Sequence, residues 1–179
     1  MDVTSVQSPC EEIDLIKVKT ICMGALAEPY FRDAVAEYKK RLGGYCEFEE
    51  IRLKDAKMGK AASGGVPSAG DIAAALEKEA DEILSKIPKR AVVVALCIEG
   101  KMLSSEGLAE WIDKKTAAGA SEFCFIIGSS HGLSDRVKNA ADLKFSMSPL
   151  TFPHQLAAVM LTETLYRAMD IIRGGKYHK

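Results

Sequence analysis

The stretch KRAVVVALCIEG, residues 89–100, decides the fold. From Val92 to Leu96 it is apolar without a break, and its valines are β-branched. Branching at Cβ favours a strand over a helix, and an unbroken apolar run leaves no wet face. The stretch therefore reads as a strand covered on both sides, as in a parallel sheet. Downstream, EFCFIIG (122–128) repeats the pattern and LKFSMSPL (143–150) reads as a last strand. Upstream, LIKVKTICMG (15–24) and YCEFEEIRL (45–53) read as two more, the first with Leu15, Ile16, Val18, Ile21 and Cys22 mostly inward.

Helical patterns fill the gaps. Pro29 suits the first turn of PYFRDAVAEYKKRL, and Gly43-Gly44 ends it. DIAAALEKEADEILSKI stops at Pro88, and Ser105 or its neighbour caps the helix carrying Leu108, Trp111 and Ile112. LSDRVKNAA is short, and a long helix follows Pro153-His154. Strands alternating with helices predict an α/β fold, a mainly parallel sheet flanked by helices. Residues 1–14 read as a disordered extension and 15–179 as a single domain. The Gly-, Ser- and Lys-rich KDAKMGKAASGGVPSAG (54–70) reads as a mobile loop.

Composition narrows the class. The chain has 179 residues, 47% of them apolar, enough for a sizeable core. No apolar run approaches the roughly 18 residues a membrane span needs. MDVTSVQSPCEEID lacks the pattern of a signal peptide. Cysteines at 10, 22, 46, 97 and 124 form no CxxC, which suits reduced thiols in a cytoplasmic protein. The net charge of −1 is not that of a general nucleic-acid binder, although YKKRLGGY (38–45) and RGGKYHK (173–179) are local basic clusters. The first has the cations expected of a helix end.

In such sheets ligands lie beyond the carboxyl ends of the strands. That directs attention to Glu99-Gly100-Lys101, to Gly128-Ser129-Ser130-His131-Gly132, and to Ser146 through Pro153. The second loop is not GxGxxG, and it lacks GK[ST]. On backbone grounds alone it reads as a tight turn with positive φ at Gly128 and Gly132. The histidines at 131, 154 and 178 form no HxxxH, so no metal site is expected, and no GxSxG elbow is present. The last helix is apolar on most sides, through Leu156, Val159, Met160, Leu161, Leu165, Met169 and Ile172. Glu163, Arg167 and Asp170 form a narrow polar stripe. Arg167 reads either as an ion-pair partner of Glu163 or as a cation serving a ligand.

LCIEGKMLSSEGLAEWI, FIIGSSHGLSD, LKFSMSPLTFPHQLAAVMLTETLYRA and a terminal KYHK, taken together, resemble the SPOUT methyltransferases. Within them the resemblance is to the type that methylates N3 of a pseudouridine in large-subunit (23S) ribosomal RNA. It covers residues 17–179. It implies a C-terminal trefoil knot, a homodimer, ribosomal RNA in the large subunit or assembled ribosome as partner, and S-adenosylmethionine as cofactor. By position it assigns the cofactor to Leu96, Gly128, Ser129, Gly132, Ser148, Pro149, Leu150, Thr151, Phe152 and Pro153. It brings the tail to the active site, with His178 as base, Arg167 and Lys179 as cations, and Tyr177 against the incoming base. His154 and Lys176 fall to the RNA substrate. The chain departs from the family pattern at Ser129, where a second glycine is usual, at His131, and at Ala158, where arginine is usual. Methylation of another RNA position, or a non-catalytic role on the ribosome, are the alternatives.

Overall fold

The computed structural model describes residues 15–57 and 66–179. The expected extension at 1–14 and the centre of the expected mobile loop, 58–65, lie outside the described residues. In chain order the elements are β1 (Lys17–Met23), α1 (Pro29–Leu42), β2 (Glu47–Leu53), α2 (Ala69–Lys86), β3 (Val92–Met102), α3 (Ser105–Ala117), β4 (Glu122–Ile127), α4 (Asp135–Asn139), β5 (Leu143–Ser146) and α5 (His154–Ile172). The five strands form one parallel sheet in the order β2-β1-β4-β3-β5. β4 thus enters the sheet between two strands that precede it in the chain.

Alternation along β4 builds both halves of the core. Phe123, Phe125 and Ile127 face the layer of α1, α3 and α5, while Cys124 and Ile126 face α2 and α4. All five are buried, as expected for a strand covered on both sides. α5 docks through Ala158, Leu161, Leu165, Ala168 and Met169, a stripe at helical spacing. A leucine buried as Leu165 is contributes about 1.5–3 kcal/mol through area removed from water. Side chains define the helix starts. Ser68 and Asp71 form a reciprocal capping box on α2, and Ser104 caps α3 by accepting from the Gly107 N–H at 3.0 Å.

β3 departs from the continuous strand expected of 89–100. Leu96 pairs with Phe145, and so does Lys101, so residues 97–100 bulge out of the ladder. Only Val93 to Ala95 are buried there, and Ile98 is 53% exposed. The apolar run is therefore longer than the buried strand, and its far end forms a wall above β5. Asp142 clamps this sheet edge. Its carboxylate accepts from the Val93 N–H at 2.8 Å, and its own N–H donates to the Val93 carbonyl at 2.8 Å.

Candidate functional site

A cavity of about 750 Å³ opens over the carboxyl ends of β3, β4 and β5. Three loops enclose it: the β3 bulge, the turn 128–132, and the segment 147–153 leading into α5. Leu96, Gly128, Ser129, Gly132, Ser148, Leu150, Thr151, Phe152 and Pro153, which the family resemblance assigns to a cofactor, line it. Pro149, also predicted there, is not part of the wall. The Ser148 hydroxyl accepts from the Leu150 N–H at 3.0 Å, closing a local turn around Pro149. His154, assigned by sequence to the RNA, lines the same cavity at the start of α5.

The 128–132 turn corrects one expectation. Gly132 has φ +86, but Gly128 is not in the left-handed region. Gly128 is required by crowding instead, since a Cβ there would lie 2.1 Å from the Gly132 carbonyl oxygen. The turn is cross-tied where the Gly132 N–H donates to the Ser129 carbonyl at 2.9 Å.

Lys138, on the short helix α4, is a cavity residue that sequence reasoning missed. Its ammonium meets Glu99 at 2.5 Å. That bond lowers the Glu99 carboxyl and raises the Lys138 ammonium from their ordinary values. A lysine eleven positions beyond the end of β4 carries no motif, so no sequence signal marked it. Cys97 also lines the wall, and burial raises its thiol.

The tail forms a second cluster, none of whose members lines the cavity. The Arg167 guanidinium pairs with Glu163, one turn before it on α5. It also lies 4.6 Å from the Tyr177 ring centroid, a cation–π contact. The Tyr177 hydroxyl donates to Glu163 at 2.9 Å, and the Tyr177 N–H donates to Asp170 at 2.9 Å. Asp170, 3% exposed, also accepts from the Tyr45 hydroxyl at 2.9 Å. Burial first, then hydrogen bonds to Tyr38 and Glu163, push the Tyr177 phenol well above its ordinary value.

His178 bridges two elements. Its Nδ1 lies 3.4 Å from Arg167 and its Nε2 2.7 Å from Glu106 at the start of α3. A guanidinium can only donate, so Nδ1 accepts and Nε2 carries the proton toward Glu106. Glu106 is held at about 2, first by its own backbone N–H and then by His178 and Ser104. Lys176 and Lys179 are exposed. From His154 to Arg167 is 13 residues of helix, about 20 Å along the axis. Within one protomer the structure therefore keeps the predicted catalytic group apart from the predicted cofactor group.

Comparison with known proteins follows the same lines. A family model described as "Predicted SPOUT methyltransferase" matches residues 16–178. "Ribosomal RNA large subunit methyltransferase H" of Bacillus pumilus is 45% identical over 164 residues, covering 92% of this chain and 100% of the relative. Its namesake in Streptococcus uberis is 44% identical over the same shares. Among solved structures, a probable methylase family protein from Haemophilus influenzae matches at 12% identity and TM-score 0.46, over 92% of this chain and 70% of that one.

Proposed function

The chain belongs to the SPOUT methyltransferase family, and from that membership we propose that it transfers a methyl group from S-adenosylmethionine to N3 of a pseudouridine in large-subunit ribosomal RNA. Relatives named for methylating that RNA match along their whole length, which supports the substrate class. The observation that carries the reading is the convergence of three strand-end loops on one cavity. Its size, about 750 Å³, lies in the range of small-molecule sites, about 300–1,000 Å³. Leu96, Leu150 and Phe152 offer apolar walls for an adenine, and the 128–132 and 148–153 segments offer backbone donors and acceptors. The bound cofactor supplies an electrophilic methyl group on a sulfonium sulfur.

The chain's own residues then have to align and deprotonate. N3 of pseudouridine is an imide nitrogen that carries a proton at neutral pH. His178 accepts that proton at Nδ1 once that nitrogen leaves Arg167. Arg167 and Lys179 stabilise the imide anion, and Tyr177 stacks on the base. His154 and Lys176 hold the RNA. S-adenosylmethionine held in the cavity would present its methyl group to the ionised N3, and the chain's part is to align the two.

The separation of tail and cavity supports a homodimer in which the tail of a second copy reaches the cavity. The outward side of α5, with Leu156, Val159 and Met160, is only half-buried, and Leu150 is 67% exposed. Such an apolar surface suits a subunit contact. The segment after β5 is read as the threaded part of a trefoil knot, supported by its place in the same cavity wall as the 128–132 turn. Recognition of the assembled ribosome by shape agrees with a net charge of −1. No described helix is long and apolar enough to cross a membrane.

The test is transfer of labelled methyl from S-adenosylmethionine to ribosomes lacking the modification, followed by nucleoside mass spectrometry. The expected product is N3-methylpseudouridine. Ribosomes left unlabelled by a protein that also fails to bind S-adenosylmethionine would refute the reading.

A further inference from the structure

α2 buries a carboxyl group. Glu79 is 5% exposed, on the helix side that carries Ala75, Ala80 and Ile83 into the core. Its two oxygens serve two different loops. Oε1 accepts from the Ala56 N–H at 3.0 Å, just beyond β2. Oε2 accepts from the Ser129 hydroxyl at 2.9 Å. Ser129 lines the cavity, and its carbonyl holds the turn closed by accepting from Gly132. One side chain thus anchors a cavity loop from behind without touching the cavity.

We propose that Glu79 is a positioning residue for the methyl donor, holding the 128–132 turn in its ligand-receiving shape through the Ser129 hydroxyl; the proposal rests on the methyltransferase reading above. A turn that is held beforehand does not have to be ordered when the ligand arrives. A buried carboxylate is suited to this, because it offers acceptors in two directions at once. Glutamine can keep both contacts, its oxygen accepting from the Ala56 N–H and its amide N–H donating to the Ser129 hydroxyl, whereas alanine removes both. Removal of either partner leaves the other group without its bond.

The experiment is a double-mutant cycle on the full-length protein, read by calorimetric titration with S-adenosylmethionine and by thermal melting. Glu79→Ala and Ser129→Ala should each weaken binding about 3- to 10-fold, and Glu79→Gln should restore most of the affinity lost in Glu79→Ala. The double variant should bind no more weakly than Glu79→Ala alone, since both act through one contact. Glu77→Gln, on the exposed side of the same helix, should leave affinity unchanged. Lowered melting temperatures with unchanged affinity would make Glu79 a fold-stabilising group and overturn the proposal. Losses that simply multiply in the double variant would overturn the route through Ser129. A wild-type protein without affinity for S-adenosylmethionine would instead remove the methyltransferase reading, and this proposal with it.

Discussion

α5 serves two regions that handle polar atoms in opposite ways. At its start, the cavity is walled by loops and apolar side chains, leaving space for a ligand. At its end, Glu163, Arg167, Asp170, Tyr177 and His178 bond to one another and to Tyr45 and Glu106. The cavity is a receiving site with Glu99, His131, Lys138 and His154 in its walls. The tail is a set of acid–base groups already engaged, about 20 Å away along the helix. The comparison teaches that α5 joins an open, loop-walled cavity to a closed polar cluster whose groups are already engaged with one another.

Two glycines allow each region to be broken alone. Alanine at Gly128 would meet the Gly132 carbonyl oxygen at 2.1 Å. The turn must open, at a cost of about 1–3 kcal/mol or more. Gly128→Ala is expected to abolish S-adenosylmethionine binding in calorimetry, and with it methyl transfer. Alanine at Gly175 would put its Cβ 1.9 Å from the Asp170 Oδ1 that Tyr45 holds. Gly175→Ala is expected to undock the tail, keep cofactor affinity within about twofold, and lower methyl transfer at least about tenfold. Equal loss of cofactor binding in both variants would show that the regions are not separable.

Mixing defective protomers sharpens the comparison. If the tail acts on the cavity of a second copy, a heterodimer of Gly128→Ala with a chain lacking Tyr177 to Lys179 contains one intact site. Its activity should recover to about half that of the wild type, because a twofold dimer has two equivalent sites. No recovery in a purified heterodimer would place tail and cavity of each site in the same chain.

The smallest effect concerns pH. Glu106 titrates near 2 in the folded protein, below the ordinary carboxylate range. A depressed value means that its contribution to tail docking is complete above that range and is lost as pH falls toward 2. The carboxyl carbon shift of Glu106, followed by NMR, should stay that of an ionised group through pH 4. Titration at an ordinary carboxylate pH would show that the tail does not rest on α3 in solution. The pair is exposed on the Glu106 side, so its effect on stability should be slight.

Much of this architecture was legible because burial leaves a mark on residue type. Val92 to Leu96 and Phe123 to Ile127 cannot be solvated on either face, and Pro29, Gly43-Gly44 and Pro88 punctuate the helices. The strand-end rule located the three loops, and nine of the ten residues that the family resemblance assigned to the cofactor lie in the cavity wall. Lys138 and Glu79 were not legible, since each acts through a partner far along the chain, Glu99 or Ser129. The reason for Gly128 was misread for a related cause. Its constraint is a contact with Gly132 across a turn, not its own dihedral angle.

The sequence by itself determined the parallel α/β sheet, the strand-end loops that come to line the cavity, and the polar residue types of the tail. These depend on local pattern and residue type, which a chain carries before it folds. Tertiary structure alone decided that β4 lies between β1 and β3, that residues 97–100 leave the ladder, and that the tail packs on α3 and α5 away from the cavity. Those outcomes depend on which distant groups satisfy one another's hydrogen bonds and buried surface, and no periodicity within a segment encodes that choice.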